Sequence, residues 1–189
     1  MLTIRRATED DAHGIRDVWL DVTRHAIYSA VDQPWSEDEE RAYLRALSPR
    51  ETVHVAVDPS GELVGFQSLD LWSPILRTMS HVGQLGTFVL ASHRRQGIGQ
   101  QLFTATRRFA ISAGYEKLVI YVRASNEAAQ RFYASFGFAV IGRLGRQVLI
   151  DGQYDDEILM ELFLRQAKAL DFRDFLVQAP DLESLDVRR

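Results

Sequence analysis

The sequence carries an apolar strand, a basic turn with two glycines and the start of a helix in immediate succession, in the run Phe88-Val89-Leu90-Ala91-Ser92-His93-Arg94-Arg95-Gln96-Gly97-Ile98-Gly99-Gln100-Gln101-Leu102. Glycine lets a backbone approach a ligand closely, and the first N–H groups of a helix have no partner inside that helix. A turn of this kind can therefore hold an anion. Arg94 and Arg95 add positive charge to it. We expect the N–H groups of Arg95 to Gln100 to surround a pyrophosphate.

Other turns also carry paired glycines, and the sequence argues against two of them. A Walker phosphate loop needs Gly, four residues and then Gly-Lys-Ser/Thr, and no such run exists here. A dinucleotide-binding fingerprint needs a third glycine at position 102, where Leu102 stands. Two glycines alone also fit a tight turn that only joins a strand to a helix.

Hydrophobic periodicity around this run predicts an alternation of strands and helices. On the upstream side it predicts a short strand near residues 2–6, helices with capping signals at Thr8 and Ser36, a hairpin over residues 52–71 and a strand over residues 81–90. On the downstream side it predicts the helix that Gly97 opens, a strand over residues 118–122, a helix from Asn126 to about Phe136 and two strands around Asp151-Gly152. The predicted order is β-α-α-β-β-β-α-β-α-β-β, which indicates an α/β sheet with helices on both faces.

Composition sets the broad class of protein. The 189 residues are 46% hydrophobic and 25% charged, which is typical of a soluble globular domain. We expect one domain over residues 1–164, followed by an appended helix and a tail over 165–189. The apolar side of residues 165–177 can pack on its own domain or on a second subunit, which leaves a homodimer open.

Absences in the sequence exclude several kinds of chemistry and partner. The chain has no cysteine, which excludes disulfide scaffolds, thiol nucleophiles and cysteine-bound metal, and we expect no metal. The net charge of −4 argues against broad nucleic-acid binding. No apolar run approaches the roughly 20 residues of a membrane helix, and the N-terminus lacks the apolar core of a secretory signal. We therefore expect no membrane association and a cytoplasmic location.

The turn resembles a known signature. Arg94-x-x-Gly97-x-Gly99 after a strand is similar to the coenzyme A signature, Gln/Arg-x-x-Gly-x-Gly/Ala, of the GNAT superfamily of acetyl-CoA-dependent N-acyltransferases. The block Asn126-Glu127-Ala128-Ala129-Gln130-Arg131-Phe132-Tyr133-Ala134-Ser135-Phe136-Gly137-Phe138 resembles the later element of that family. The resemblance covers roughly residues 2–164. It implies a mixed, mostly antiparallel sheet with splayed central strands and helices on both faces. One departure is Arg95, where many relatives have glycine.

The resemblance also assigns roles in binding acetyl-CoA. Backbone groups near Phe88 and Val89 would hydrogen-bond the pantetheine arm as an added strand does. The cofactor-binding residues of the turn would be Arg94, Arg95, Gln96, Gly97, Ile98, Gly99 and Gln100. Asn126 would contact the cofactor or cap its helix. Tyr133 matches the family's tyrosine near the thioester sulfur, so we expect it to contact the cofactor and act as general acid; core packing is the alternative role.

Proton removal and acceptor binding are less defined by the sequence. Relatives often carry a Glu or His on the strand that enters the splay, but Gly83–Thr87 contains no titrating side chain. The remaining candidates for the base are His81 and a water chain that ends at His81 or at a carboxylate among Asp155, Asp156 and Glu157. The family's acceptor pocket would correspond to Tyr28, Trp35, Trp72 and the acidic run Tyr154–Glu157. That run would attract a cationic amine or form a solvated hairpin arm.

The function implied by the resemblance is transfer of an acetyl group from acetyl-CoA to a primary amine of a small molecule, amino acid or peptide. Direct attack in a ternary complex needs no cysteine intermediate. A sensor module that binds an acyl-CoA without catalysis is the alternative. Tyr133 favours the enzyme, and the unassigned base keeps the sensor open.

Overall fold

The computed structural model describes residues 1–24, 28–31 and 33–164. The seven strands are β1 (Thr3–Arg6), β2 (Thr52–Val57), β3 (Leu63–Leu71), β4 (Val82–Val89), β5 (Lys117–Arg123), β6 (Ala139–Ile150) and β7 (Gln153–Phe163). The four α-helices within these residues are α1 (Ala12–Thr23), α2 (Glu37–Ala46), α3 (Ile98–Ser112) and α4 (Glu127–Ala134). This order along the chain confirms the order predicted from the sequence. The helix and tail predicted over 165–189 lie outside the described residues.

The strands form one sheet in the order β1-β2-β3-β4-β5-β7-β6. Neighbouring strands run antiparallel except for β4 and β5, which run parallel. A parallel pair needs a crossover connection, and α3 supplies it. The predicted mixed, mostly antiparallel sheet is confirmed.

Helices cover both faces of the sheet. Val53 and Val55 of β2 pack with Ile15 and Val18 of α1 in one apolar cluster. Their neighbour His54 points to the opposite face, where its ring nitrogen lies 3.0 Å from the hydroxyl of Thr106 on α3. Alternation along a strand therefore separates a face covered by α1 and α2 from a face covered by α3 and α4.

The predicted helix and turn signals act as expected. The Asp11 carboxylate accepts the backbone N–H of Thr8 at 2.8 Å, and the Ser36 backbone N–H donates to Glu39 at 2.8 Å. The first is a capping box with Asp in the Glu position. Asp151 and Gly152 have φ of 50° and 75°, as a tight two-residue hairpin loop requires.

No helix in residues 1–24, 28–31 and 33–164 is long and apolar enough to cross a membrane.

Candidate active site

The two parallel strands separate at the centre of the sheet. β4 and β5 pair only through Val82–Gln84 and Lys117–Val119. Beyond that point β4 remains paired with β3, and β5 remains paired with β7. The result is a gap between the second halves of β4 and β5, which is the splay that the resemblance implies.

Main-chain groups of β4 line this gap in alternation. The Leu90 N–H donates to the carbonyl of Val64 at 3.0 Å, on the β3 side. Since main-chain groups of a strand alternate between its two sides, those of Phe88 also face β3, and those of Thr87 and Val89 face the gap. The main-chain groups of Phe88 are therefore directed to β3, and those that face the gap belong to its neighbours Thr87 and Val89.

The turn after β4 presents unused backbone donors. Gly97 has φ of 78° and stands at the N-cap of α3, with no heavy atom within 4 Å of the position that a Cβ would occupy. Within the described part of the chain, the N–H groups of Arg95 to Gln100 donate to no protein acceptor. Ile98 is 4% exposed and packs in an apolar cluster with Val64 and Leu102, which anchors the start of α3 to the sheet. Six consecutive backbone donors at a helix N-terminus are suited to a pyrophosphate.

The two arginines of the turn have different roles. The Arg94 guanidinium donates to the Val89 carbonyl at 3.0 Å, lies 3.7 Å from Asp21 and stacks 3.9 Å from the centroid of the Tyr28 ring. These contacts fix Arg94 as part of the wall of the cleft. Arg95 has φ of 60°, so it adopts the left-handed conformation that glycine adopts more easily. Its side chain forms no ion pair with any residue that the structure describes, and it lines the cleft.

Three further predicted cofactor residues are also placed. Asn126 is 9% exposed, and its side-chain oxygen accepts the N–H of Ala129 at 3.1 Å, which makes it the N-cap of α4. The Gln96 side chain donates to the Ser92 carbonyl at 3.1 Å and so closes the turn. Gln100 lies in the first turn of α3 and lines the cleft.

The second glycine of the signature has a packing role. A Cβ at Gly99 would lie 3.1 Å from the Phe132 ring, a tight contact. The absence of a side chain at this position lets α3 and α4 approach each other. The two sequence blocks that resemble the family are therefore in direct contact.

Tyr133 lies inside the splay and is 3% exposed. Its phenol donates to Thr87 Oγ1 at 2.7 Å, and the Gln67 amide donates to the same oxygen at 2.5 Å. Burial raises the pKa of Tyr133 well above its usual value, and the hydrogen bond to Thr87 only partly opposes that shift. The phenol is therefore protonated at neutral pH and can donate a proton.

Two cavities meet at this tyrosine. A cleft of about 980 Å³ is lined by the turn and by one side of α4. A cavity of about 300 Å³ lies on the other side of the splay and is lined by Trp19, Ser68, Asp70, Gln84, Tyr121, Arg123 and Glu157, among others. Both are lined by Tyr28, Thr87, Asn126, Ala129 and Tyr133. Molecules in the two cavities would therefore meet at the Thr87–Tyr133 pair.

Comparison with known proteins identifies this arrangement. The family model described as the acetyltransferase (GNAT) family matches residues 13–138, a range that includes the turn, the splay and Tyr133. The chain belongs to the GNAT family. Its mostly antiparallel sheet and its helices match those of GNAT folds, which confirms the resemblance seen in the sequence.

Three proteins show what this GNAT chain is similar to in sequence. An uncharacterized N-acetyltransferase of Archaeoglobus fulgidus is 30% identical over 138 residues, which cover 71% of this chain and 90% of that protein. The L-methionine sulfoximine/L-methionine sulfone acetyltransferase of Pseudomonas paraeruginosa is 25% identical over 166 residues, with coverage of 86% and 94%. Mycothiol acetyltransferase of Corynebacterium efficiens is 27% identical over 137 residues; these cover 72% of this chain and only 44% of that longer protein.

Solved GNAT structures share the fold. An N-acetyltransferase from Staphylococcus aureus Mu50 gives a TM-score of 0.81 at 25% identity and covers 87% of this chain and 99% of its own. YncA from Salmonella typhimurium, solved with its cofactor acetyl-CoA, gives a TM-score of 0.82 at 23% identity and covers 90% and 98%.

The predicted acceptor residues divide into two groups in this GNAT structure. Tyr28 and Glu157 line the smaller cavity, and Trp72 stacks on the cavity residue Tyr121 with ring centroids 5.6 Å apart. Trp35 and Tyr154, by contrast, do not line it and are 48% and 60% exposed. The structure therefore does not bring these two side chains to the smaller cavity.

The structure separates the candidate bases that were named from the sequence. His81 is exposed, precedes the paired end of β4 and lines neither cavity. The Asp155 carboxylate accepts hydrogen bonds from Arg123 and Ser125, and Asp156 is bound by Arg143 at 2.6 Å. Of the residues named, only Glu157 lines the smaller cavity.

A second carboxylate in that cavity, Asp70, was not predicted. It is the one charged residue in the otherwise apolar and polar strand Leu63–Leu71. Alternation places it on the same face as Phe66, towards α1 and α2. That signal was present in the sequence, but only the register of β3 on β4 shows that the residue lies beside the splay.

Proposed function

We propose that this GNAT protein transfers the acetyl group of acetyl-CoA to a primary amine by direct attack in a ternary complex. The observation that carries the proposal is the position of Tyr133, hydrogen-bonded to Thr87 where the two cavities meet. A cytoplasmic location is part of the proposal.

The larger cleft suits acetyl-CoA. The unused N–H groups of Arg95 to Gln100 would bind the pyrophosphate, and the open space beside Gly97 admits it. The gap-facing main-chain groups of Thr87 and the N–H of Val89 would hydrogen-bond the pantetheine arm as a neighbouring strand would, while the Val89 carbonyl accepts from Arg94. Bound in this way, acetyl-CoA supplies an activated thioester at the splay. Acetyl-CoA in YncA, which has the same fold, supports this assignment.

The smaller cavity suits a cationic acceptor. Its wall contains the carboxylates of Asp70 and Glu157, whereas its one arginine, Arg123, already donates to Asp155 at 2.8 Å and to the Ser29 carbonyl at 3.1 Å. The excess of negative charge favours an ammonium group. Trp19, Tyr28 and Tyr121 add aromatic surface, which favours cations and apolar side chains.

The reaction requires two proton transfers. An alkylammonium has a pKa of about 10.4, so less than about 0.1% of it is a free nucleophile at pH 7. The thiolate of coenzyme A leaves more easily when it receives a proton. Tyr133 would donate that proton, and the raised pKa of its buried phenol keeps the proton in place until the sulfur leaves.

An assay with purified protein tests the proposal. Release of free thiol and an acetyl mass shift would be measured with acetyl-CoA and five probes: n-butylamine, phenethylamine, cadaverine, L-methionine sulfone and a short peptide. L-Methionine sulfone is included because a relative is named for its acetylation. We expect acetylation of at least one probe. Calorimetric binding of coenzyme A with acetylation of none would instead support the acyl-CoA sensor, and absence of binding would refute the role of the turn.

A further inference from the structure

Asp70 lies next to the point where the central strands separate. On β3 it pairs in register with Gln84, the last β4 residue that still pairs with β5. Paired antiparallel residues point to the same face, with Cα atoms about 5.5 Å apart in a hydrogen-bonded pair. Both side chains line the 300 Å³ cavity, together with Ser68. β3 thus brings a carboxylate to the place where β4 offers only an amide.

The carboxylate of Asp70 accepts a hydrogen bond but forms no ion pair with the described residues. The Tyr43 hydroxyl of α2 donates to its Oδ1 at 2.5 Å. No Lys, Arg or His in the described part of the chain forms an ion pair with Asp70. A carboxylate in the wall of a cavity without a cation is suited to bind a cationic ligand.

The surroundings of Asp70 raise its pKa above the usual value of an aspartate. Burial raises its pKa, the hydrogen bonds from Tyr43 and Ser68 oppose that shift, and the charge of Glu51 adds to it. Glu40 of α2 is 2% exposed, and its own pKa is raised to about 7 by burial and by the charge of Asp70. The titratable and charged groups around Asp70 are Glu40, Tyr43, Glu51, Tyr115, Tyr121, Arg123 and Glu157.

Glu157, the other carboxylate of the cavity, differs from Asp70 in its charge environment. It pairs in register with Arg123 across β7 and β5, so a guanidinium lies beside it. Burial raises its pKa, the charge of Arg123 opposes that shift, and the charge of Asp155 adds to it, so the pKa of Glu157 stays above its usual value. Glu157 thus lies beside the ion pair of Arg123 with Asp155, whereas no cation among the described residues forms an ion pair with Asp70.

We propose that Asp70 binds the ammonium group of the acceptor and accepts its proton. This inference rests on the proposed function. One of the three N–H protons passes to Asp70 and then to water, and the free amine attacks the thioester carbonyl. The C–S bond breaks as the C–N bond is completed. The second N–H proton passes to the Tyr133 oxygen and replaces the proton that Tyr133 delivers to the sulfur. The third proton remains on the amide nitrogen. Acetyl-CoA and an ammonium ion thus give an amide, coenzyme A thiol and one proton.

The test compares Asp70→Asn with the matched variant Glu157→Gln, using a probe amine that the wild type acetylates. We expect Asp70→Asn to lower kcat/KM about 100-fold at pH 7. The defect should shrink as the pH approaches the amine pKa of about 10.4, because solution then supplies free amine. Glu157→Gln should cost less than about fivefold at every pH. Coenzyme A affinity, measured by calorimetry, should be unchanged in both. A loss that is independent of pH, or a larger loss in Glu157→Gln, overturns the proposal.

Two further measurements keep the inference testable. Tyr43→Phe removes a hydrogen bond that stabilises ionised Asp70, so the acid limb of kcat/KM should move to higher pH; an unmoved limb contradicts the role of Asp70. Titration of n-butylammonium chloride into the coenzyme A complex measures binding without turnover. One outcome separates the two proposals: the wild type binds butylammonium, the Asp70→Asn variant does not bind it, and neither protein acetylates any amine. In that case the proposed function is wrong, and Asp70 is only a binding site for ammonium.

Discussion

The phenol of Tyr133 donates a 2.7 Å hydrogen bond to Thr87 Oγ1 and so connects α4 to the inner edge of the splay. The same oxygen accepts the Gln67 amide. This second bond fixes Thr87, so the phenol has a defined position relative to the gap between β4 and β5. Tyr133 is thereby held in one orientation beside the place expected for the thioester.

Tyr133→Phe should lower kcat by about 100-fold or more and leave coenzyme A affinity within about twofold, because a general acid acts on the leaving group and not on the pyrophosphate. Loss of the hydrogen bond should cost about 1 kcal/mol of unfolding free energy. Steady-state kinetics, calorimetry and thermal unfolding measure the three quantities.

The matched control for that prediction is Tyr115→Phe. Tyr115 is fully buried, and its hydroxyl has no hydrogen-bond partner among the described residues. Removal of that hydroxyl should leave kcat unchanged and unfolding neutral or slightly improved. Full turnover in Tyr133→Phe would mean that the phenol has only a packing role.

Gly97→Asp should reduce coenzyme A affinity at least about 100-fold, since it brings a carboxylate to the site expected for the pyrophosphate. Gly152→Asp is a matched control, because both glycines have a positive φ (78° and 75°) and open space at the Cβ position. Both variants should lose about 1 kcal/mol of unfolding free energy to backbone strain. Equal coenzyme A affinity in the two variants, measured by calorimetry, would refute the binding role of the turn.

Arg95→Gly removes a charge without requiring a new backbone conformation, because Arg95 already has φ of 60°. We expect coenzyme A affinity to fall about three- to tenfold at low salt, with the difference shrinking as salt screens the charge. Arg95→Lys serves as the control that keeps the charge. A difference that does not depend on salt would show that the guanidinium acts through packing. Binding titrations at several ionic strengths measure this.

Asp11→Asn should lower the free energy of unfolding by about 2 kcal/mol at neutral pH, because Asp11 makes two 2.7 Å bonds to Arg5 and accepts the Thr8 N–H. Burial opposes ionisation of Asp11, but the bonds from Arg5 and Thr8 hold its pKa below the usual value. A lowered pKa gives stability that is present above the unfolded-state value of about 3.9 and is lost as the pH falls through the folded-state pKa.

Denaturant unfolding at several pH values tests that sign, with Asp10→Asn as the control in the same turn. The difference in unfolding free energy between wild type and Asp11→Asn should have its full value above about pH 4 and should disappear in stronger acid. A difference that grows in acid contradicts the assignment.

The order of strands and helices was predictable because its signals are local. The capping residues at Thr8 and Ser36, the Asp151-Gly152 loop and Gly97 each act within a few residues of their position. The candidate turn was predictable for the same reason. Its unused N–H groups belong to consecutive residues, so no tertiary contact is needed to bring them together.

The acceptor side of the site was less predictable because it depends on register and on divergence of strands. Asp70 lies beside the splay only because β3 pairs with β4 at Gln84, and no local pattern reports that pairing. His81 precedes the segment of β4 that pairs with β5, and the gap begins only after Gln84. Because β4 is extended, these few residues are enough to keep His81 away from the gap. The hydrogen bond that fixes Arg94 to Val89 was likewise invisible in the sequence.

The contact between Gly99 and Phe132 has a mechanical consequence. Because Phe132 precedes Tyr133 on α4, any side chain added at Gly99 would press on the helix that carries the phenol. A substitution at Gly99 would then displace Tyr133 even where the backbone donors of the turn keep their positions. The same glycine therefore links the geometry of the turn after β4 to the position of the Tyr133 phenol.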